Sequence, residues 1–370
     1  MIDGCVNLKH CLVCGTEVTE ILDLGSQPLA NSFLDRIVEE RIFPLKVNCC
    51  KNCMHLQLSH AVDLPLMYKN YLYRSGTTNT YKEYMNWFAS NALKYFKEEC
   101  STVLDIGCND GTQLDFFKKL GLQTYGIDPA ENLYEYSSKN HIVIKDYFSE
   151  TINFKTKFDI VLMQNSFAHQ PNPKKFLQNI KNIIDTNGKI FIQTSQADMV
   201  KNNEFDTIYH EHVSFFNINS MNELVKRTNL TLTDVIKTPV HGISYLFRLT
   251  KNTFAGRRKV FNEIEVERQR GLLSKKTYNE YTKNITKLVS DFKELIENSR
   301  REGFELIGYG AAAKGMTFLN FADVKLDYIL DDNKLKHHLY TPGTNVPIKP
   351  NGFLKQYKDC LLYTSDAADE

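Results

Sequence analysis

The sequence lacks both an excess of charge of one sign and any long hydrophobic run. Its 370 residues include 45 Lys and Arg against 44 Asp and Glu, a formal net charge of +1. A bulk nucleic-acid-binding protein would carry a basic excess. No apolar stretch approaches the roughly 20 residues of a membrane span, and the start, MIDGCVNLKH, lacks the apolar run of a signal peptide. We therefore expect a cytoplasmic protein with no nucleic-acid or membrane partner.

The remaining composition is that of a globular protein. Hydrophobic residues make up 42% and aromatic residues 12% of the chain, which excludes a largely disordered one. At about 150 residues per domain, the length predicts two or three domains with ample material for buried cores.

Cysteines cluster near the N-terminus, in a compartment expected to be reducing, where a disulfide framework is disfavoured. Two C-x-x-C pairs, CLVC at 11–14 and CKNC at 50–53, are the pattern of a four-thiolate zinc site. The pattern predicts a small module that holds structural zinc with four ligands: Cys11, Cys14, Cys50 and Cys53. The alternative is a reduced, buried or redox-active cluster, and Cys49 indicates that not every thiol there need be a ligand.

Strands and helices alternate from about residue 100. The segment TVLDIGCNDGTQLDFFKKLG is typical of a strand, a glycine turn and a helix. Further strands are predicted at 123–128, 142–146, 158–164 and 189–194, with a helix near 173–184. This alternation predicts a doubly wound parallel sheet, which two later segments, 230–236 and 244–249, are expected to complete.

The glycine turn, which runs from Asp105 to Gly111, is the first candidate ligand-binding segment. It departs from the dinucleotide fingerprint G-x-G-x-x-G, because Asn109 stands where a second glycine would admit a pyrophosphate. Asp128 ends the next strand, where a carboxylate can accept both hydroxyls of a ribose. The turn therefore suits a ligand that has a ribose but no phosphates.

This combination resembles the class I S-adenosylmethionine-dependent methyltransferases. The resemblance implies S-adenosylmethionine as cofactor, with Asp105 near its ammonium group through the loop. It implies these cofactor-binding residues: Asp105, Gly107, Cys108, Asn109, Gly111, Asp128, Gln164 and Asn165. A nucleotide-binding sheet of another type is the alternative.

Long motifs extend the resemblance to most of the chain. They are LDLGSQPLANSF (22–33), YHEHVSFF (209–216), GYGAAAKG (308–315) and DDNKLKHHLYTPGTNVPI (331–348). Over roughly residues 9–350 the chain resembles the sugar C-methyltransferases that act on nucleotide-linked 4-keto-deoxysugars. The resemblance implies a nucleotide-sugar substrate and methyl transfer to the carbon next to the ketone, C3, with no metal in the chemistry.

YHEH at 209–212 concentrates proton-handling side chains. In an extended segment, Tyr209 and Glu211 would face one way and His210 and His212 the other. Methylation at carbon requires a carbanion, and an imidazole with its ordinary pKa of about 6.5 suits removal of a hydrogen beside a ketone. From the residues alone, a structural polar turn and a metal-binding H-x-H pair remain alternatives.

The resemblance assigns catalytic roles to five residues: His212 as base, Glu211 as a group that orients its neighbours, Tyr209 as hydrogen-bond donor to the enolate oxygen, His169 and Tyr73. His169 follows strand 158–164, at the carboxyl edge where substrates bind. Tyr71 competes with Tyr73, and aromatic residues often serve packing alone.

A second strand, glycine turn and helix are predicted at ELIGYGAAAKGMTFL (305–319). Before them, residues 258–303 keep an apolar stripe at helical spacing, which predicts one long helix between two domains. The glycines leave N–H groups at a helix N-terminus, where Lys314 adds a positive charge. The resemblance implies that Gly308, Gly310 and Lys314 help hold the nucleotide sugar. A structural turn is the alternative.

The predicted architecture is α/β in three parts. A zinc-binding module spans 1–70, a class I Rossmann-like methyltransferase domain 71–250, and a helical linker with a second Rossmann-like domain 251–360. We expect a monomer or a weak oligomer. Residues 361–370 resemble translated adapter sequence, so we expect a non-native tail and a missing native C-terminus.

Two departures from the family pattern fall near the expected substrate. Gln193 stands where the family commonly has glutamate, and Gly242-Ile243 replaces a double glycine. Two alternative functions therefore stay open: an O- or N-methyltransferase of another small molecule on the same fold, and a catalytically silent binding protein. Retention of deuterium at the sugar C3 would support the first. Binding of S-adenosylmethionine without turnover would support the second.

Overall fold

The structure of the protein is a computed structural model that describes residues 3–69, 71–96, 99–196, 198–251, 256–356 and 361–364. Residues 365–370, which belong to the segment predicted to be non-native, lie outside the described residues. Residues 361–364 of that segment form a strand that pairs in parallel with 306–309.

The N-terminal module is a small antiparallel structure. Its elements are β1 (Cys5–Asn7), β2 (Val18–Gln27), β3 (Phe43–Cys50), β4 (Leu56–Leu58), β5 (His60–Val62) and α1 (Leu64–Tyr68). Strands β2, β3 and β4 are hydrogen-bonded neighbours, and β1 pairs with β5. Alternating residues such as Leu22 and Leu24 on β2 are buried in one apolar cluster with Leu306 and Leu319 of the C-terminal domain. The N-terminal module and the C-terminal domain therefore share one hydrophobic core.

The methyltransferase region forms the central sheet. Its elements are α2 (Asn79–Leu93), β6 (Thr102–Ile106), α3 (Thr112–Lys119), β7 (Gln123–Ile127), α4 (Glu131–Ser137), β8 (Ile142–Ile144), β9 (Phe158–Gln164), α5 (Pro173–Ile183), β10 (Ile184–Thr194), α6 (Met199–Asn202), β11 (Ser214–Phe215), α7 (Ile218–Lys226), β12 (Thr231–Thr238) and β13 (Ser244–Thr250). Within the described ranges the strand order is β12-β13-β10-β9-β6-β7-β8. The strands from β10 to β8 are parallel, and β13 is antiparallel to both of its neighbours.

Strand β9 shows why this sheet lies between two layers of helices. Its sequence, FDIVLMQ, is apolar on both faces, as a central parallel strand requires. Ile160 and Leu162 pack in the cluster that includes residues of α2 and α3. Val161 and Met163 pack in the cluster that includes residues of α5 and α7. Because the strands are parallel, the loops after β6, β7, β9 and β10 meet at one edge of the sheet.

The C-terminal region begins with two helices. Its elements are α8 (Arg257–Gln269), α9 (Lys275–Arg301), β14 (Leu306–Tyr309), α10 (Ala313–Ala322), β15 (Tyr328–Asp331), β16 (Ile348–Pro350) and β17 (Leu361–Thr364). The parallel order β16-β15-β14-β17 confirms the second α/β unit. The prediction of one long helix was wrong, because the chain turns between α8 and α9 at Gly271, whose φ of +79° is left-handed.

Strand β11 links the methyltransferase region to the N-terminal module. β11, which comes after the YHEH motif, pairs with β4 of the N-terminal module rather than with the central sheet. The Val213 carbonyl also accepts a hydrogen bond from the Leu58 N–H at 2.9 Å. The YHEH segment is therefore attached directly to the N-terminal module. In the described part of the chain, no helix is both long and apolar enough to span a membrane.

Candidate active site and metal centre

The two C-x-x-C segments form turns that bring four sulfurs together. The Gly15 N–H donates to the Cys11 carbonyl at 2.9 Å, and the Met54 N–H donates to the Cys50 carbonyl at 3.1 Å. The ligand atoms of Cys11, Cys14, Cys50 and Cys53 all lie within 4.8 Å of one another. The structure therefore brings together the four residues predicted as metal ligands.

The spacing of these sulfurs fits zinc. The Sγ atoms of Cys11 and Cys53 are 3.6 Å apart, and those of Cys14 and Cys50 are 3.4 Å apart. A tetrahedral zinc site with Zn–S bonds of about 2.3 Å separates its sulfurs by about 3.8 Å. Cys49 instead lies with its Sγ 4.0 Å from the Met54 sulfur, outside this set. Four thiolates would leave zinc no open position, so the metal would stabilise the module and take no part in a reaction.

The glycine turn after β6 forms the floor of a pocket. Gly107 has a φ of +85°, and a Cβ there would lie 2.7 Å from the Ser166 Cβ, so a side chain does not fit. Asp128, at the end of β7, accepts hydrogen bonds from the Asn109 N–H and the Ala130 N–H, both at 2.9 Å. Burial raises the pKa of Asp128, and these two N–H groups oppose that shift. The carboxylate thus fixes the turn while it lines the pocket.

We call this cavity the cofactor pocket. Five of the predicted cofactor residues line it: Gly107, Asn109, Asp128, Gln164 and Asn165. Three others lie behind its wall. Cys108 is buried under Gly126, Gly111 caps the start of α3, and Asp105 is 3% exposed. Burial and the charge of Asp128 raise the pKa of Asp105 well above its ordinary value, and its Oδ1 has no hydrogen-bond partner among the described residues.

Unpaired polar atoms indicate that the pocket is built for a polar ligand. The Gln164 Nε2 and the Tyr68 hydroxyl are buried and have no hydrogen-bond partner among the described residues. Both side chains line the cofactor pocket. A buried donor without an acceptor is costly, and a cofactor with ribose hydroxyls and a carboxylate would supply acceptors. The sequence analysis missed Tyr68, because it lies on α1 of the N-terminal module, which folds over the pocket.

The YHEH motif is a tight turn and not an extended segment. The His212 N–H donates to the Tyr209 carbonyl at 2.9 Å, which closes the turn. Tyr209 and His212 therefore lie on the same side, with ring centroids 4.2 Å apart. His210 points to the N-terminal module, where its Nε2 is 3.2 Å from the Phe43 carbonyl. The turn thus separates the two histidines, which excludes a joint H-x-H metal site.

His212 is held in one orientation. Its Nδ1 is 2.8 Å from the Thr207 carbonyl oxygen, a contact that requires a proton on Nδ1. The neutral ring therefore carries its lone pair on Nε2. His212 is 3% exposed and lines a second cavity, which we call the substrate cleft. A fixed neutral imidazole at the wall of a cleft is suited to accept a proton.

His169 and Tyr73 lie where the cofactor pocket and the substrate cleft meet. Both residues line both cavities, as do Tyr71 and Asn165. The His169 ring stacks on Tyr68 on one side and on His212 on the other, with centroids 5.4 Å apart in each case. Burial, with a smaller effect of His212, holds the pKa of His169 well below its ordinary value. His169 is therefore a neutral group at this junction.

Glu211 is buried beside the junction. Its carboxylate accepts hydrogen bonds from the Asn31 side-chain amide at 2.6 Å and from the Tyr71 hydroxyl at 2.7 Å. Burial raises the pKa of Glu211, and these two donors lower it. If Glu211 orients its neighbours as predicted, Tyr71 is the neighbour that it would orient.

The substrate cleft, of about 540 Å³, lies between the methyltransferase domain and the C-terminal domain. Two of the three residues predicted to hold the nucleotide sugar, Gly310 and Lys314, line it. The third, Gly308, lies within β14, where a Cβ would be 2.9 Å from Leu326, and is not among the lining residues. The sequence analysis missed three cationic residues of the cleft: Arg74, Lys334 and Lys336. These residues meet in the cleft because two domains pack together, and local sequence patterns do not predict such packing.

The two departures from the family pattern have different surroundings. Gln193 is fully buried and its Oε1 accepts a hydrogen bond from the Tyr84 hydroxyl at 2.6 Å. His241, just before Gly242, lines the substrate cleft, and its carbonyl is 3.4 Å from the Lys314 ammonium group. The second departure therefore lies next to a residue that lines this cleft, whereas Gln193 does not line it.

Three protein families match consecutive parts of the chain. A zinc binding domain family matches residues 11–68, a methyltransferase domain family matches 80–235, and a C-methyltransferase C-terminal domain family matches 239–363. The last match begins before β13, which the structure includes in the central sheet.

Two relatives are similar in sequence. The C-methyltransferase NovU of Streptomyces niveus is 26% identical over 364 residues, which cover 92% of this chain and 85% of NovU. A ubiquinone biosynthesis O-methyltransferase of Glaesserella parasuis is 32% identical over 104 residues, 25% of this chain and 44% of that enzyme. Among solved structures, the plantazolicin methyltransferase BpumL with bound SAH matches with a TM-score of 0.37 and 16% identity, over 45% of this chain and 82% of that one.

The sheet, the cofactor pocket and the family matches define an enzyme, an S-adenosylmethionine-dependent methyltransferase with the class I fold. The C-terminal part of the chain matches a C-methyltransferase family, and most of the chain is similar to the C-methyltransferase NovU.

Proposed function

We propose that this enzyme transfers a methyl group to the carbon next to the ketone of a nucleotide-linked 4-keto-deoxysugar, with C3 as acceptor. The observation that carries the proposal is the junction of the two cavities. Tyr71, Tyr73, Asn165 and His169 line both the cofactor pocket and the substrate cleft. A methyl donor in one cavity and a sugar in the other would meet at these four side chains.

His212 is the proposed base. S-adenosylmethionine, when bound, supplies an electrophilic methyl group. A carbon acid attacks such a group only after it has lost a proton. The lone pair on Nε2 of His212 would accept the hydrogen from C3, while the Nδ1–H bond to Thr207 would stabilise the imidazolium. Tyr209, whose ring contacts His212, is placed to donate a hydrogen bond to the enolate oxygen.

Four cationic side chains in the substrate cleft support a nucleoside diphosphate as one part of the substrate. Arg74 lines the cleft from the methyltransferase side, and Lys314, Lys334 and Lys336 line it from the C-terminal domain. The acids Asp331 and Asp332 also line the cleft, and Asp331 lies 3.7 Å from Lys336. Charge-assisted hydrogen bonds from such cations are the usual means of holding phosphate oxygens. Asp332, which accepts a hydrogen bond from Tyr309 at 2.9 Å, also lines the cleft and would accept hydrogen bonds from a ribose.

A panel of nucleotide-linked 4-keto sugars, assayed with S-adenosylmethionine, tests the proposal. Mass spectrometry should detect one added methyl group, and NMR should place it on C3, with loss of a deuterium previously placed there. Methylation on oxygen or nitrogen, with the C3 deuterium retained, would support the alternative methyltransferase and refute the proposal. Binding of S-adenosylmethionine with no methylated product from any sugar would favour the silent binding protein.

A further inference from the structure

The loop between β2 and β3 carries a side chain into the active site. Asn31 lies on this loop, in the N-terminal module, and lines the substrate cleft. Its amide donates a 2.6 Å hydrogen bond to Glu211. Glu211 is 5% exposed, and its other oxygen accepts from the Tyr71 hydroxyl at 2.7 Å. Asn31, Glu211 and Tyr71 therefore form a continuous chain from the zinc-binding module to the junction of the two cavities.

Tyr71 is fixed at both ends. Its backbone N–H donates to the Asn132 Oδ1 at 3.0 Å, and its carbonyl accepts from the Asn132 Nδ2 at 2.8 Å. The hydroxyl is fixed by Glu211. A phenol that is fixed in this way, at the point where two cavities meet, stays in one position and does not have to rearrange during a reaction.

The Glu211 carboxylate depends on its donors. A buried carboxylate is costly unless its oxygens are hydrogen-bonded, and Asn31 supplies one of the two donors found here. Loss of that donor would leave one oxygen unpaired in a buried site. The carboxyl would then hold its proton more strongly and would no longer accept the Tyr71 hydrogen bond in the same geometry.

We propose that Asn31 is a positioning residue, which holds Glu211 and, through it, the Tyr71 phenol at the junction of the cofactor pocket and the substrate cleft. The inference that this position of Tyr71 matters for catalysis rests on the proposed function. The zinc-binding module then contributes to the active site directly, through one amide, as well as through its fold.

Asn31→Ala, with Ser32→Ala as the matched control at an exposed neighbour, tests the proposal in two ways. In the assay with nucleotide 4-keto sugars, kcat of Asn31→Ala should fall about 10- to 100-fold, while KM for the sugar stays within about twofold. Zinc content and S-adenosylmethionine affinity should equal those of the control. An increased KM with unchanged kcat would make Asn31 a substrate contact and overturn the proposal, as would unchanged kinetics.

Asn31→Asp gives a readout that a purely structural role would not produce. The new carboxyl would lie beside Glu211, so the pair would share one proton at low pH and repel at high pH. The ratio of its kcat to that of Asn31→Ala should therefore rise as the pH falls. The phenols of Tyr68 and Tyr71 face Glu211, Tyr209 lies near both phenols, and burial holds the pKa values of Tyr68 and Tyr71 well above their ordinary value. A pH-independent ratio would contradict the proposal.

A crystal structure of Asn31→Ala separates this proposal from the proposed function. The Tyr71 hydroxyl should leave Glu211, with the four cysteine sulfurs unmoved. If Tyr71 and Glu211 keep their places, the positioning role is wrong whatever the substrate. If they move but the wild-type enzyme methylates no keto sugar, the proposed function is wrong and the positioning of Tyr71 by Asn31 stands.

Discussion

His169 and His212 stack with ring centroids 5.4 Å apart and planes inclined by 27°. His169 ends the turn after β9, and His212 ends the turn that leads to β11. A proton on His212 disfavours one on His169, whose pKa burial and His212 together hold well below its ordinary value. His169 is therefore a neutral neighbour of His212 at the edge of the cofactor pocket.

Asp128 should be needed for cofactor affinity. Replacement by Ala removes the carboxylate that lines the pocket and accepts the Asn109 and Ala130 N–H groups. Hydrogen bonds to a charged group are worth about 1.5–3 kcal/mol, so S-adenosylmethionine should bind roughly 10- to 150-fold more weakly. Titration calorimetry measures this, with Glu131→Ala, an exposed acid nearby, as the control. Equal affinities for Asp128→Ala and the control would refute the ribose role.

The cysteine cluster should hold one zinc ion per chain. Cys50→Ser removes one of the four ligands, whereas Cys49→Ser removes a buried thiol outside the set. Elemental analysis of protein purified without chelators should find zinc in wild type and Cys49→Ser, and much less in Cys50→Ser. Because the YHEH segment pairs with β4 through β11, loss of zinc should also reduce turnover. Wild-type protein without zinc, or equal zinc in both variants, would contradict this.

Glu267 should make stability depend on pH. It is 2% exposed, accepts hydrogen bonds from the Ile218 N–H at 2.7 Å and the Asn219 N–H at 3.0 Å, and burial raises its pKa to about 7. The folded state therefore binds this proton more tightly than the unfolded state does. The resulting stability is complete below about pH 4.5 and is lost as the pH rises to about 7, an effect of about 3 kcal/mol.

The measurement for Glu267 is a difference between variants. The free energy of unfolding of the wild type, minus that of Glu267→Gln, should fall between about pH 4.5 and 7. Glu263→Gln, on the same helix, serves as the control for loss of a carboxyl elsewhere on α8. A pH-independent difference for Glu267→Gln would contradict the raised pKa of its carboxyl.

Local patterns in the sequence predict the elements of the central sheet closely. The predicted strand 158–164 is β9 to the residue, because a run of apolar residues bounded by polar ones is typical of a strand buried on both faces. The two C-x-x-C turns are equally local, and the structure brings their sulfurs together. These features depend on residues near one another in sequence or on a strict ligand pattern.

Contacts between units could not be predicted in the same way. The YHEH segment is a turn, and the next residues along the chain pair with β4 of another unit. Tyr68, Asn31 and Lys336 lie on segments far from the glycine turn, and the folding of three units around one site brings them to the cavities. In the apolar stripe of α9, Leu288 and Leu295 are exposed while Val289 and Ile296 are buried, since the packing partner decides which face is covered.

Deuterium exchange at the sugar C3 tests the role of His212 as base most directly. Wild-type enzyme, a nucleotide-linked 4-keto sugar and the demethylated cofactor in D2O should incorporate deuterium at C3, because the base works while no methyl group is available. His212→Asn, which keeps size and polarity but removes the base, should abolish this exchange and lower methyl transfer by about 100- to 10,000-fold. S-adenosylmethionine should bind the variant with unchanged affinity. Exchange at the wild-type rate in His212→Asn, or no exchange above the uncatalysed rate in the wild type, would contradict the proposed mechanism.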